Sequence, residues 1–158
     1  DRLLSQEGKG FKVAMSSLDV GRLGIAAQAL GIAQGAFDET VKYMKQRKQF
    51  GKTLDKFQAL SFEMASMKVK IDGARYLLYD ACNRRDLGLP ATVAAAEAKL
   101  ACSEAASYVT NKAVQFHGGY GYMKEYAIER IYRDQRITEL FEGTSQVQKI
   151  VIAGQLLH

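Results

Sequence analysis

The chain has 158 residues, 47% of them hydrophobic and 25% charged, with no tryptophan and one proline, which is one domain's worth of core. Its net charge of +5 is local: Lys42, Lys45, Arg47, Lys48, Lys52 and Lys56 crowd together beside a single acid, Asp55, and acids and bases balance elsewhere. That arrangement excludes a uniformly basic, nucleic-acid-coating surface and leaves room for a local anion site.

Gly8 and Gly10 punctuate the start, and a helical pattern then runs from Phe11 to about Lys45 through Leu23, Ala27, Leu30, Phe37, Val41 and Met44. A second row, Gly24, Ala27, Gly31 and Gly35, is small at steps of three and four. Glycine costs about 1 kcal/mol against alanine inside a helix, so the row predicts a neighbour packed close to the backbone. Gln46 to Lys56 breaks the pattern and marks a connection. Phe57, Leu60, Met64, Met67, Ile71, Ala74, Leu78 and Ala81 then predict a long second helix. A flanking row of Phe62, Ala65, Val69, Tyr76 and Tyr79 widens its apolar face enough for more than one neighbour.

Gly88-Leu89-Pro90 ends that helix, with Pro90 placed near the first turn of the next. Ala91 to about Phe116 is alanine-rich, with Ala94, Ala98, Ala101, Ala105, Val109 and Ala113 on one side, and predicts tight helix packing. A glycine-rich loop, His117 to Tyr122, follows. A shorter helix is expected from about Lys124 to Arg136, a connector from Ile137 to Gly143, and a last helix from Ser145 to about Leu157, where Ser145 and Gln148 fit a capping box. No strand pattern of useful length appears. The prediction is an all-α, antiparallel up-down bundle of four-helix-bundle type with an additional short helix.

Metal chemistry is not expected: neither His117 nor the terminal His158 follows a glutamate by three residues, as a di-iron bundle requires. Cys82 and Cys102 have no paired thiol or histidine nearby in sequence, so no disulfide framework or zinc site is read from them. The chain lacks both the roughly 18-residue apolar run of a bilayer span and the apolar region of a signal peptide. These features predict a soluble chain from a reducing compartment, without membrane insertion. Gly118-Gly119-x-Gly121 follows a helix instead of a strand, so it reads as a helix terminator and not a nucleotide-fold phosphate loop. His117 reads as a loop residue bonded to the backbone. The basic connector is either a solvated face or an anion site, and Arg47 is its member best suited to a phosphate. Glu142 either complements the dipole of the helix that starts near Ser145 or serves as a carboxylate tuned between that dipole and the apolar Leu140 and Phe141.

Taken in order, Leu18-Asp19-Val20-Gly21-Arg22, Arg47-Lys48-Gln49-Phe50-Gly51, Gln58, Gln115-Phe116-His117-Gly118-Gly119-Tyr120-Gly121, Tyr132-Arg133-Asp134 and Phe141-Glu142-Gly143-Thr144-Ser145-Gln146 resemble the acyl-CoA dehydrogenase family. The likeness covers essentially the whole chain and is nearest to the short-chain, or butyryl-CoA, branch. Members carry an N-terminal helical domain, a middle β domain and a C-terminal helical bundle. The resemblance therefore implies that residues 1–10 end a preceding β domain or linker and that residues 11–158 form the C-terminal bundle of a longer protein.

By that resemblance Glu142 matches the base that removes the α-proton of a fatty acyl-CoA, while FAD accepts the β-hydride and trans-2-enoyl-CoA results. The peptide N–H of Glu142 would help hold the thioester oxygen. Asp19, Val20, Gly21 and Arg22 match a substrate-binding stretch, and Gly143 would lie against the substrate. Arg47, Phe50, Gln58, Gln115, Phe116, His117, Gly118, Gly119, Thr144, Ser145 and Gln146 match FAD-binding positions, several of them reaching FAD held mainly by a neighbouring subunit. Isovaleryl- and long-chain-type members place their base at the position of Gly21, so glycine there together with Glu142 matches the short- or medium-chain arrangement. The family's usual state is a homotetramer, a dimer of dimers, which passes electrons to an electron-transfer flavoprotein. Its members work in fatty acid β-oxidation in the bacterial cytoplasm or the mitochondrial matrix. Acyl-CoA oxidases share much of the architecture. A non-catalytic helical oligomerisation bundle is the alternative of another class, and the isolated chain is expected to hold little FAD and to be inactive.

Overall fold

The computed structural model describes residues 3–157. Asp1 and Arg2, part of the expected linker, and the terminal His158 lie outside the described residues. Among the described residues five α-helices form the domain: α1 (Gly10–Gln46), α2 (Gln58–Asp86), α3 (Thr92–His117), α4 (Ala127–Arg136) and α5 (Ser145–Leu157). The connections are short, which sends α1, α2 and α3 back and forth as antiparallel neighbours.

α3 is the central element and packs against α1, α2, α4 and α5. Its composition explains this. Ala95, Ala96, Ala98, Cys102, Ala105, Ala106, Val109 and Ala113 are buried and cover more than one side of the helix, so neighbours approach from several directions without collision. α1 meets it through Leu23, Ala26, Ala29, Leu30, Ala33, Ala36 and Met44, and α2 through Met67, Ile71, Ala74, Leu78 and Ala81. Polar ties set the registers: Arg75 donates to Gln34 Oε1 at 2.6 Å between α2 and α1, and Tyr108 and Lys112 of α3 both donate to Glu63 of α2.

The bundle is as predicted, but several local expectations change. The small row Gly24, Ala27, Gly31 and Gly35 does not pack within this chain. Its first three members are exposed, and a Cβ built on any of the glycines meets nothing within 4 Å. The close-packed small row is Ala26, Ala29, Ala33 and Ala36, one position further round the helix. The flanking row of α2 is likewise left mostly exposed, with Phe62, Val69 and Tyr76 at 64%, 71% and 73%, and the two neighbours of α2, α1 and α3, are met by other residues.

The connection after α1 holds a small antiparallel hairpin, β1 (Lys48–Gln49) with β2 (Lys52–Thr53), that the sequence pattern did not show. Its two-residue loop, Phe50-Gly51, has φ of +50° and +78°, the geometry whose twist matches paired strands. α4 begins at Ala127, three residues later than expected, because a 3-10 segment, Gly118–Tyr122, and a turn come first. The Ser145/Gln148 capping box does not form. Thr144 caps α5, its Oγ1 accepting from Val147 N at 3.3 Å, and the Gln148 side chain is used elsewhere.

Candidate active site

The connector from α4 to α5 ends in two residues with positive φ, Glu142 at +55° and Gly143 at +92°. Glycine tolerates that region; glutamate does so only where its surroundings enforce it. They do so from two sides. Lys99 of α3 donates Nζ to the Gly143 carbonyl at 2.8 Å. Gln148 of α5 donates Nε2 to the same oxygen at 2.8 Å and to the Glu142 carbonyl at 3.3 Å. The reversed backbone turns the Glu142 side chain away from the start of α5 and lays it on α1. A Cβ built on Gly21 would stand 2.8 Å from Glu142 Cδ and overlap its carboxylate. Only a glycine leaves that carboxylate its place.

The next residue of α1, Arg22, is buried and donates Nη1 to Asp19 Oδ1 at 2.8 Å, while Thr92 at the start of α3 donates to Asp19 Oδ2 at 2.7 Å. Arg22 Nε is buried without a hydrogen-bond partner among the described residues. Lys99 is fully buried nearby. Burial and the Arg22 charge push its pKa below the usual lysine value, and the Glu142 charge pushes it up. Asp19, Arg22, Lys99 and Glu142 thus gather acids and bases at the end of the bundle where α1 and α3 begin.

A second cluster occupies the opposite end. Gly118, with φ of +59°, stops α3, and the segment that follows folds against the end of α1. Tyr43, Arg47, Gln49, Leu54, Gln115, Phe116, His117, Gly118, Gly119, Tyr120 and Met123 line a cavity of about 470 Å³ there. His117 is the last residue of α3, not part of the loop as expected. It is buried, bonded through Nδ1 to the Ala113 carbonyl at 2.8 Å, and stacked on Tyr43 with ring centres 4.1 Å apart. Burial pushes its pKa down, so the ring acts as a neutral wall. The Arg47 guanidinium lies 5.0 Å from the centre of the Tyr120 ring and has no carboxylate partner among the described residues. The five lysines around it are solvent-facing. From Gly21 to the end of α1 the helix rises about 38 Å.

The sequence profile of the acyl-CoA dehydrogenase C-terminal domain matches residues 8–157. The chain belongs to the acyl-CoA dehydrogenase family. It is 58% identical over 156 residues to the short-chain specific acyl-CoA dehydrogenase of Clostridium acetobutylicum, covering 99% of this chain and 41% of that protein. It is 53% identical over 154 residues to the CarC subunit of a caffeyl-CoA reductase-Etf complex from Acetobacterium woodii, covering 98% and 41%. Among solved structures, butyryl-CoA dehydrogenase from Megasphaera elsdenii superposes with a TM-score of 0.96 at 53% identity, over 98% of this chain and 40% of that one. The chain therefore spans about two fifths of the length of these relatives.

In this acyl-CoA dehydrogenase domain the residues singled out from sequence divide between the two ends. Glu142, Gly143 and Thr144 sit with Gly21 and Arg22 at one end, and Ser145 and Gln146 open α5 beside them. Val20 points outward. Arg47, Gln115, Phe116, His117, Gly118 and Gly119 meet at the other end. Phe50 and Gln58 lie near them in sequence but outside the cavity. Phe50 is 92% exposed at the hairpin tip, edge-on to Phe57. Sequence reasoning missed Lys99, Gln148 and Thr92. One signal pointed to Lys99: it interrupts the row Ala95, Cys102 and Ala106, where every other member is small and buried. No helix among the described residues is long and apolar enough to cross a membrane, and no group of three or more metal-ligating side chains occurs among them.

Proposed function

We propose that the chain is the C-terminal domain of an FAD-dependent short-chain acyl-CoA dehydrogenase of butyryl-CoA type, with residues before α1 ending a preceding β domain. The observation that carries this reading is the Glu142 carboxylate, held on Gly21 by a left-handed backbone whose carbonyls are both fixed. In the position where related branches place their base on α1, this chain has a bare glycine filled by the carboxylate of another segment. Glu142 removes the α-proton of an acyl-CoA, and its peptide N–H donates to the thioester oxygen as negative charge develops there. FAD supplies, when bound, the acceptor for the β-hydride, and the product is trans-2-enoyl-CoA.

Three observations support the fit to FAD. Arg47 presents an unpaired guanidinium at a cavity with a neutral aromatic wall, suited to a pyrophosphate. Phe50 is an aromatic held at positive φ and almost wholly exposed, a strained conformation that makes sense where something outside this chain covers it. The distance between the two clusters, about 38 Å of helix, exceeds an extended FAD, so Arg47 and Glu142 of one chain serve different flavins. The reading therefore includes an oligomer, a homotetramer built as a dimer of dimers, in which the exposed rows of α1 and α2 are covered. An electron-transfer flavoprotein is the electron partner, in line with the Etf complex that the Acetobacterium relative is named for.

That relative's name, a reductase, favours a second reading in which the same residues work in reverse. Glu142 then delivers its proton to the α-carbon of an enoyl thioester. In the full-length flavoprotein, Glu142→Gln is expected to keep flavin and acyl-CoA binding while turnover falls by about 10²–10⁴-fold in both directions. Near-normal turnover in the variant would remove Glu142 from the chemistry.

A further inference from the structure

Two buried donors converge on one carbonyl beside Glu142, and neither belongs to the set that the family resemblance implied. Lys99 is fully buried in an alanine-rich helix, and among the described residues its only hydrogen bond is to Gly143 O at 2.8 Å. A buried lysine usually has a carboxylate partner. Here the ammonium donates to a peptide oxygen, under the like charge of Arg22 and the opposite charge of Glu142, with which it makes no direct hydrogen bond. Gln148 is fully buried as well and sends Nε2 to the carbonyls of both Glu142 and Gly143. Its Oε1 has no hydrogen-bond partner among the described residues. The amide cannot profit from turning over, because that would set its oxygen against two carbonyl oxygens. Lys99 thus bears the desolvation of a buried ammonium, and Gln148 an unpartnered amide oxygen, where they fix the peptide that follows Glu142.

We propose that Lys99 is a positioning residue for Glu142: with Gln148 it clamps the Gly143 carbonyl and so holds Glu142 in the left-handed conformation that lays its carboxylate on Gly21. The inference rests on the reading of Glu142 as the proton-transferring base. The mechanical link is short. Glu142 at φ +55° and Gly143 at +92° turn the chain back within two residues, and relaxing either toward ordinary values swings the carboxylate off Gly21. The Gly143 carbonyl follows both dihedral pairs, so two donors on that oxygen, one from α3 and one from α5, pin the pair together. A Cβ on Gly143 would stand 2.7 Å from Gln148 Nε2, which shows how closely the clamp is fitted.

The test is a series of full-length holoenzymes, wild type, Lys99→Met, Lys99→Gln, Gln148→Met and Glu142→Gln. Each is mixed anaerobically with butyryl-CoA while flavin absorbance reports reduction, with rates expressed per bound flavin. Lys99→Met removes the donor at similar length and is expected to slow the saturating reduction rate by about 10²-fold, with butyryl-CoA affinity changed less than about two-fold, as for a base displaced by a fraction of an ångström. Lys99→Gln keeps a neutral donor and falls in between, and Gln148→Met is slowed in the same way. A merely structural lysine would instead lower flavin content and melting temperature and leave the rate per bound flavin unchanged, and that result overturns the proposal. So does a loss confined to affinity. If Lys99→Met fails to fold, Lys99→Gln and Gln148→Met decide by the same criterion. Glu142→Gln separates the two levels. Rapid reduction in that variant sinks the base and the clamp together, whereas a slow Glu142→Gln beside fast Lys99 and Gln148 variants sinks the clamp alone.

Discussion

A methyl group on Gly21 would overlap the Glu142 carboxylate, whereas the helix around Gly21 would gain from an alanine by up to about 1 kcal/mol. The two effects have opposite signs on different observables, which makes Gly21→Ala informative. In the full-length enzyme the substitution is expected to leave the melting temperature unchanged or raised and to cut turnover by about 10-fold or more, both measured on one preparation. A loss of stability with turnover intact would mean that the carboxylate does not rest there. At this scale the sequence was readable where a residue is unusual for its element. Glu142 before a Gly-Thr helix start stood out, whereas Gly21 entered only through the Leu18–Arg22 stretch that carries the family resemblance. Lys99 and Gln148 did not stand out, because a lysine in an alanine helix reads as solvated and a glutamine at a helix start reads as a cap. Their roles depend on a backbone reversal at Glu142 that no periodicity encodes.

The helices themselves follow from spacing, and α1, α2 and α3 run within a residue or two of the predicted bounds. Which side of α1 is packed did not follow. Two small-residue rows lie side by side on it, and a helical period says only that each row is a face, not which face meets a neighbour. α3 takes Ala26, Ala29, Ala33 and Ala36, and Gly24, Gly31 and Gly35 are left over open space. The difference is measurable in this chain by thermal or denaturant unfolding. Gly31→Ala is expected to stabilise by about 0.5–1 kcal/mol, and Ala33→Val, which forces two methyls between α1 and α3, to destabilise by about 1–3 kcal/mol. Equal destabilisation by both would show that the glycine row is packed after all. Cys102, by contrast, is part of the α2–α3 contact. Its thiol lies 3.5 Å from the Ala74 carbonyl and burial pushes its pKa up to about 12, so it behaves as a small apolar residue without thiolate chemistry.

For the molecule as a whole, the central feature is that one chain carries two clusters at its two ends, which we propose serve two different flavins. The local charge noted at the start resolves into five solvent-facing lysines and one guanidinium at a cavity, and the carboxylate proposed as base lies about 38 Å of helix away. The chain spans two fifths of its relatives' length, and in the proposed oligomer the exposed apolar row of α2 is covered by a neighbour. The most direct measurement of this claim uses two inactive full-length variants, Glu142→Gln and Arg47→Ala, unfolded and refolded together or co-expressed. If each flavin is served by Glu142 of one chain and Arg47 of its neighbour, a mixed pair contains one site with both residues intact. Random pairing then restores about a quarter of the sites, and the mixture turns over far faster than either parent. Activity no higher than that of the parents would place both residues at one flavin and contradict the account.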